Sequence, residues 1–237
     1  MDKTSSHRAL VTGANRGLGL EFVRQLLARG SQVVASCRRP AEAAALHALA
    51  AAHPGRLHVR ALAVDSEPAR LAFAREVADL FEGIDLLVNN AGMLARGEQF
   101  GELDAAVLQQ TLATNTVAPL MLVQALAPLL QRGARPRVLN ISSALGSIAR
   151  ADGFHTPTYR ISKAGLNMAG VMMAHALNPL GVGVITASPG WVQTDMGGSG
   201  AQLTPEESVA SLLRLVDELP GVPAGPFLDR SGEVLPW

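Results

Sequence analysis

The sequence predicts one α/β domain built on a doubly wound parallel sheet of about seven strands with helices on both faces. Three observations predict it. Short β-branched or apolar runs alternate with longer helical patterns along the whole chain. A glycine cluster falls directly between the first strand and the first helix. No Pro/Gly/Ser-rich linker interrupts the chain, so residues 1–237 read as a single domain with small excursions near the carboxyl ends of the strands.

The expected strands are Ala9 to Val11, Gln32 to Ser36, Leu57 to Ala63, Ile84 to Val88, Arg137 to Ile141, Val182 to Ala187 and a short one near Pro226 to Leu228. Phe22, Val23, Leu26 and Leu27 give the first helix an apolar face, which Gly30 ends as a left-handed cap. Alanine-rich Ala43 to Ala52 fits an ordinary helix of high propensity. Leu71, Ala74, Val77 and Phe81 define the face of the third helix. Val117 to Leu130 contains Pro119, Gln124 and Pro128 and falls short of the roughly 18 to 20 apolar residues that span a bilayer, so it reads as a buried helix. Met168, Met172 and Met173, with Val171, are expected to pack in the core or between subunits.

Composition bounds the function. A chain of 237 residues can bury roughly 70 to 75% of its unfolded surface. Lys plus Arg equal Asp plus Glu at 20 each, so no overall field favours nucleic acid or an anionic membrane, and a small-molecule partner is expected. The one cysteine, Cys37, excludes an internal disulfide framework, fits a reducing compartment and reads as a small apolar strand residue. Met1 to His7 is polar and a strand follows at once, which leaves no room for a signal-peptide hydrophobic region. A cytoplasmic location is expected. No metal site is expected.

Thr12-Gly13-Ala14-Asn15-Arg16-Gly17-Leu18-Gly19 is the first excursion. Glycines permit the tight turn and the close approach of a pyrophosphate, and the following helix offers its free N–H groups to the charge. Gly13, Asn15, Arg16, Gly17, Leu18 and Gly19 are therefore candidate dinucleotide ligands. The second strand ends Ala35-Ser36-Cys37-Arg38-Arg39, without the acidic residue that meets the ribose hydroxyls of NAD. Arg38 and Arg39, with Arg16, could instead surround the 2′-phosphate of NADP, so NADP(H) is expected over NAD(H). The alternative is that these arginines only solubilise a loop.

Tyr159 and Lys163 stand four apart, one helical turn on the same face. Bringing a phenol from pH 10 to near neutrality takes roughly 3 pKa units, about 4 kcal/mol, and a fixed ammonium could supply much of it.

With Asn89-Asn90-Ala91-Gly92, Asn115, Asn140-Ile141-Ser142-Ser143, the Tyr159/Lys163 pair and Pro189-Gly190 in that order, the chain resembles the short-chain dehydrogenase/reductase family over essentially its whole length. The resemblance implies a Rossmann fold and an NADP(H)-dependent reduction of a carbonyl to an alcohol, or the reverse. It implies that Asp65 and Ser66 lie near the adenine and that Asn90, Ala91 and Gly92 line the cofactor channel. Pro189, Gly190, Val192 and Thr194 would contact the nicotinamide. The family places its active serine three residues before a glycine, and Gly146 selects Ser143, with Ser142 as the alternative. By the same likeness Tyr159 is the acid, Lys163 lowers its pKa and holds the ribose, Ser143 orients the carbonyl, and Asn115 fixes a water in the proton relay. Asn115 alone could equally be a helix-bending or capping residue.

A narrower likeness to the C-factor and sniffer-type carbonyl reductase branch rests on Pro189 to Gly198 and on Phe227 to Trp237. It leaves a second function open, a signalling protein that binds the dinucleotide with little turnover. Substrate loops are expected at about 144–158 and 190–204, with His155 a surface residue of the first. The Gly197-Gly198-Ser199-Gly200 run is either a lid or a plain linker. Family analogy suggests a homo-oligomer, dimer or tetramer, through the helices at 117–130 and 164–177.

Overall fold

A computed structural model describes residues 7–237. Seven parallel strands form one sheet in the order β3-β2-β1-β4-β5-β6-β7. They are β1 Arg8–Thr12, β2 Gln32–Cys37, β3 Leu57–Ala61, β4 Leu86–Asn89, β5 Arg137–Ile141, β6 Gly183–Ser188 and β7 Ala224–Asp229. The helices are α1 Gly17–Ala28, α2 Ala44–Ala52, α3 Glu67–Leu80, α4 Ala105–Leu112, α5 Ala118–Leu130, α6 Pro157–Leu177 and α7 Pro205–Glu218. The order reverses between β1 and β4, and in such sheets the crevice at the reversal takes the ligand.

Period-two alternation feeds two cores. Ala9 and Val11 of β1, Val33 and Ala35 of β2, and Leu86 and Val88 of β4 face α1 and α7. The intervening Leu10, Val34 and Leu87 face the opposite core with α3, α5 and α6. The inner strands are buried on both sides and read as nearly continuous apolar runs, whereas the edge strand β3 is only half-buried and carries His58 and Arg60. Gly30 closes α1 at φ 84°, where Ser31 N–H bonds back to Leu26 O and Gly30 N–H to Leu27 O. Cys37 is buried in the α1 side of the core.

Two packing expectations need correction. In α3 the buried face is Arg70, Phe73 and Val77, while Leu71 is 45% exposed. Leu71 lies about 120° round the helix from Val77, and Phe73 only about 40°, so Phe73 takes the inward position. Phe81 is buried, but it follows the helix as an extended residue. The helix at 117–130 is buried on one side only: Leu122, Val123, Leu126, Leu129 and Leu130 face the core, and Val117 and Leu120 face out. Of the three methionines of α6, Met173 is buried, whereas Met168 and Met172 are exposed.

The helical run from Ala105 to Leu130 is long and apolar enough to cross a membrane. It spends that apolarity on the sheet, since its inner face belongs to the α3/α5/α6 core. Between α4 and α5 lie five π-helical residues, Ala113–Val117, with Asn115 at their centre.

Candidate active site

A cleft of about 540 Å³ opens at the carboxyl ends of β1 and β4. One wall is the glycine loop. Gly13 and Gly17 adopt φ of 63° and 54°, and a Cβ on Gly19 would stand 2.2 Å from Gly13 O. Alanine cannot be built there without moving the loop. Thr12 Oγ1 accepts N–H bonds from Asn90 and Ala91 at 3.0 Å, and Asn90 Nδ2 donates to Thr12 O and Gly13 O at 2.8 and 3.1 Å. The end of β4 thus bolts the loop in place.

The donor chemistry of this wall fits an anionic dinucleotide. Helices α3, α4 and α7 have their first turns capped by Ser66, Asp104 and Thr204. The amino end of α1 has no side-chain cap and no acidic residue in its first turn. It is left to receive a phosphate.

Among the expected ligands, Gly13, Asn15, Arg16, Gly17, Leu18, Gly19, Arg38, Asp65, Asn90, Ala91, Gly92, Tyr159, Lys163, Pro189 and Thr194 border the cleft. Four others do not. Arg39 pairs with Glu42 at 3.1 Å, because the short turn at Pro40–Glu42 carries its side chain away from the cleft. Ser66 is spent on capping α3. Gly190, at φ 81°, packs on Leu203 and Arg230, and Val192 bridges to Leu203 beneath the surface. Arg16 reaches the cleft yet is engaged by Asp195 at 2.9 Å, whereas Arg38 has no ion pair among the described residues.

The pattern of motifs did not reveal Leu62, Val64, Met93, Gln110 and Met196, which also line the cleft. Gln110 donates to Asp65 at 2.7 Å and so fixes that carboxylate from α4. Leu62 and Val64 follow β3, and their apolar character just past a strand end was the available signal.

The reacting end is built by α6. Its first turn starts at Pro157, after Thr156 in the left-handed region at φ 45°. Tyr159 and Lys163 are buried one turn apart, with Lys163 Nζ 5.5 Å from the phenol ring centroid and donating to Ile141 O at 2.7 Å. The Ser143 side chain lies beside the Tyr159 hydroxyl, close enough to offset part of the burial effect on the phenol. Ser142 borders the cleft, but its hydroxyl turns into the core and donates to Asn167 Oδ1 at 2.6 Å. Of the two serines, Ser143 is the one at the phenol. Gly146 lets this serine loop lie on α6, since a Cβ there would be 2.9 Å from the Lys163 backbone.

Asn115 is fully buried in the π-helical turn. Its amide donates to Met93 O and Ser162 Oγ at 2.9 Å, and its Oδ1 accepts from Met93 N–H at 2.9 Å. The side chain ties the segment that follows β4 to α6 and has no hydrogen bond to Tyr159. Widened turns of this kind recur at functional sites because they free a backbone carbonyl and re-aim a side chain.

Burial governs the resting charges. Loss of solvent pushes the Tyr159 phenol up to about 12, partly offset by Ser143, and draws Lys163 down to about 8. In this state loss of solvent outweighs the influences that lower the phenol. His155 lies in the exposed part of the 144–158 loop. No cluster of metal-ligating side chains occurs among the described residues.

The family profile described as "short chain dehydrogenase" matches residues 7–202. C-signal of Myxococcus xanthus is 40% identical over 154 residues, 65% of this chain and 93% of that protein. The NADPH-bound carbonyl reductase from chicken fatty liver superposes with a TM-score of 0.92 at 35% identity, covering 98% of this chain and 99% of that one. Carbonyl reductase Sniffer of D. melanogaster gives 0.93 at 32% identity, covering 98% and 100%. The chain belongs to the short-chain dehydrogenase/reductase family of oxidoreductases, in the branch that contains C-signal and the sniffer-type carbonyl reductases.

Proposed function

We propose that the protein is an NADP(H)-dependent carbonyl reductase, able to run the reverse alcohol oxidation. The observation that carries this reading is the Tyr159 hydroxyl beside Ser143, with Lys163 a turn behind it, at the end of a cleft whose other wall is a glycine cradle. A cradle alone would serve a binding module; the proton-transfer set serves chemistry.

Gly13, Asn15, Gly17, Leu18 and Gly19 would hold the pyrophosphate, Arg38 with Arg16 the 2′-phosphate, and Asp65 the adenine side. Asn90, Pro189 and Thr194 would guide the nicotinamide end, and Lys163 the adjoining ribose. When bound, the cofactor supplies or accepts the hydride. The rest belongs to this chain. Ser143 donates a hydrogen bond to the carbonyl oxygen, and Tyr159 delivers its phenolic proton to that oxygen as negative charge develops. The phenolate left behind is stabilised by the Lys163 ammonium, and Asn115 fixes the π-helical backbone through which a relay water would be held. In the oxidation each proton moves backward along the same groups.

Met93 and Met196, on opposite loops beside Tyr159, give the substrate end an apolar and adaptable lining, which suits small or medium apolar ketones and aldehydes. The outward Val117, Leu120, Met168 and Met172 on α5 and α6 and the π-helical turn support assembly as a homo-oligomer. Light scattering that finds only monomer overturns that part. Buried Cys37 and the absence of any other cysteine fit a cytoplasmic location.

Oxidation of NADPH is followed across a panel of ketones, aldehydes and quinones. Turnover that disappears in Tyr159→Phe supports the reading. The second reading, a dinucleotide-dependent signalling protein, is favoured by the similarity to C-signal; tight cofactor binding with no turnover on any of the panel would select it.

A further inference from the structure

The chain past β7 turns back on itself. Asp229 Oδ1 accepts bonds from Ser231 N–H, Ser231 Oγ and Glu233 N–H, and Asp229 N–H donates to Glu233 O at 2.8 Å. The returning segment runs antiparallel to β7, with Leu235 N–H on Phe227 O at 2.9 Å. Leu235 is buried, and the Trp237 indole stacks on Phe227 at 5.6 Å and 21°. A short rigid hairpin therefore delivers Trp237 to one fixed place.

That place is the loop that follows Ser143. Trp237 O accepts from Ala149 N–H at 2.8 Å and from Ser147 Oγ at 3.3 Å. Ser147 Oγ in turn accepts from Arg150 N–H at 3.2 Å, and Ser147 ends the single 3-10 turn that Ser143 begins. Upstream, Ser143 Oγ accepts from Leu145 N–H at 3.2 Å, and Ala144 N–H donates to Ser188 Oγ at 3.1 Å. Downstream, 150–155 is exposed. The tail thus anchors the loop at the point where it leaves the core, between the catalytic serine and the exposed side of the substrate opening.

We infer that Trp237 is a positioning residue: its carbonyl, held by the indole on Phe227, clamps Ser147 and Ala149 and thereby fixes Ser143 against Tyr159. The clamp acts on the substrate side alone. The glycine loop, Arg38, Asp65 and Asn90 stand at the ends of other strands, and among the described residues no hydrogen bond or ion pair joins them to 230–237. Loosening the clamp should therefore spare cofactor binding and impair the alignment of the carbonyl. Misalignment at a reacting centre costs up to about 100-fold in rate.

The kinetic consequence rests on the carbonyl-reductase reading; the structural consequence does not. The test compares the full chain with a chain ending at Pro236, with Trp237→Phe and Trp237→Ala, and with Ser147→Ala alone and combined with the truncation. Three readouts are used: amide hydrogen exchange at Ala149, NADPH affinity, and kcat and KM on whichever carbonyl is turned over. The expected result is at least about tenfold faster exchange at Ala149 and about tenfold lower kcat in the truncated chain, with NADPH affinity within about twofold. Trp237→Phe keeps both stack and carbonyl and should restore the full-chain values, with Trp237→Ala between. Ser147→Ala should add to the truncation only what its bond from Arg150 N–H contributes, because its bond to Trp237 O is already gone. Unchanged exchange at Ala149 overturns the clamp. A parallel loss of kcat, NADPH affinity and thermal stability that Phe does not rescue also overturns it, by showing general support of the fold. If the full chain turns over no carbonyl, faster Ala149 exchange with unchanged NADPH affinity still supports the clamp while the enzymatic reading fails.

Discussion

Lys163 Nζ lies 5.5 Å from the centroid of the Tyr159 ring, and the same burial pushes the phenol up to about 12 and the lysine down to about 8. Near neutral pH the phenol keeps its proton, which suits a group that must give it to a carbonyl. The lysine remains mostly charged below pH 8 but loses its proton readily above it. A bound dinucleotide whose ribose accepts from the ammonium would hold it protonated to higher pH, where a phenolate has to be stabilised.

Cofactor binding should therefore depend on pH through Lys163. A ligand whose ribose hydroxyls accept bonds from the ammonium prefers the protonated form, so binding raises the lysine pKa. Affinity is then full below about pH 8 and weakens as pH rises above that value, by up to about tenfold per unit. Calorimetry in two buffers of different ionisation enthalpy should detect proton uptake on NADPH binding at pH 9 and little at pH 6.5. In Lys163→Met this pH dependence should vanish. Persistence in that variant would transfer the effect to another group.

Tyr159 is the only tyrosine of the sequence, so the ultraviolet band of phenolate reports on it alone. In the free protein the band should emerge only near pH 12. Saturating NADP+ should move it to lower pH, because the re-protonated Lys163 stabilises the phenolate, and Lys163→Met should prevent the movement. Tyr159→Phe should lower kcat about 10² to 10⁴-fold while leaving cofactor affinity nearly unchanged. A titration indifferent to cofactor would contradict the proposed role of the lysine.

Much of this arrangement was legible in the sequence because it is local. The alternation of Ala9, Leu10 and Val11 sorts itself onto two faces by strand geometry alone, and glycines at 13, 17 and 19 need only the turn they occupy. The spacing of Tyr159 and Lys163 likewise carries its own geometry. What stayed hidden depends on contacts distant in sequence. The two arginines after β2 look equivalent, yet the turn at Pro40 sends Arg39 to Glu42 and leaves Arg38 at the cleft. Asn115 could be marked as polar within an apolar helix, but the π-helical turn that aims it at Met93 and Ser162 arises where α4 and α5 meet α6. Leu71 and Phe73 compete for the inside of α3, and hydrophobicity alone does not choose between them.

That difference between the arginines makes a prediction about cofactor choice. Arg38→Asp should invert the preference, weakening NADPH by at least about tenfold, since a bidentate phosphate contact is replaced by repulsion. Arg39→Asp should change it by no more than about threefold, the scale of an exposed charge. Competitive titrations with NADPH and NADH measure both. Equal effects of the two substitutions would mean that Arg39 leaves Glu42 and joins the phosphate site.

Gly19→Ala tests the cradle by sterics alone. The added Cβ would meet Gly13 O at 2.2 Å, and that oxygen is backbone held by Asn90 Nδ2. A shift of the loop should destabilise the free protein by about 1 to 3 kcal/mol and weaken NADPH at least about tenfold. Chemical denaturation and cofactor titration give the two values separately. Wild-type affinity in a destabilised variant would show that the loop's observed path is not the one the phosphate requires.

Arg16 and Asp195 supply the last test, because their ion pair joins the glycine loop to the loop after β6 across the mouth of the cleft. If Arg16 serves the 2′-phosphate it must leave Asp195. The pair is 2.9 Å long, but both side chains are mostly exposed, at 70% and 75%. An exposed pair of this kind contributes at most about 1 kcal/mol and is screened by salt. Breaking it is thus a small obstacle, while a guanidinium–phosphate contact near a helix amino end gains more. Asp195→Asn should strengthen NADPH binding by up to about fivefold at low salt and leave NADH nearly unaffected, because only NADPH carries the phosphate that competes for Arg16. The advantage should shrink as salt is raised. Equal strengthening of NADH would instead assign Asp195 to holding the mouth closed against any dinucleotide, and weakened binding of both would mean that the bridge belongs to the bound state.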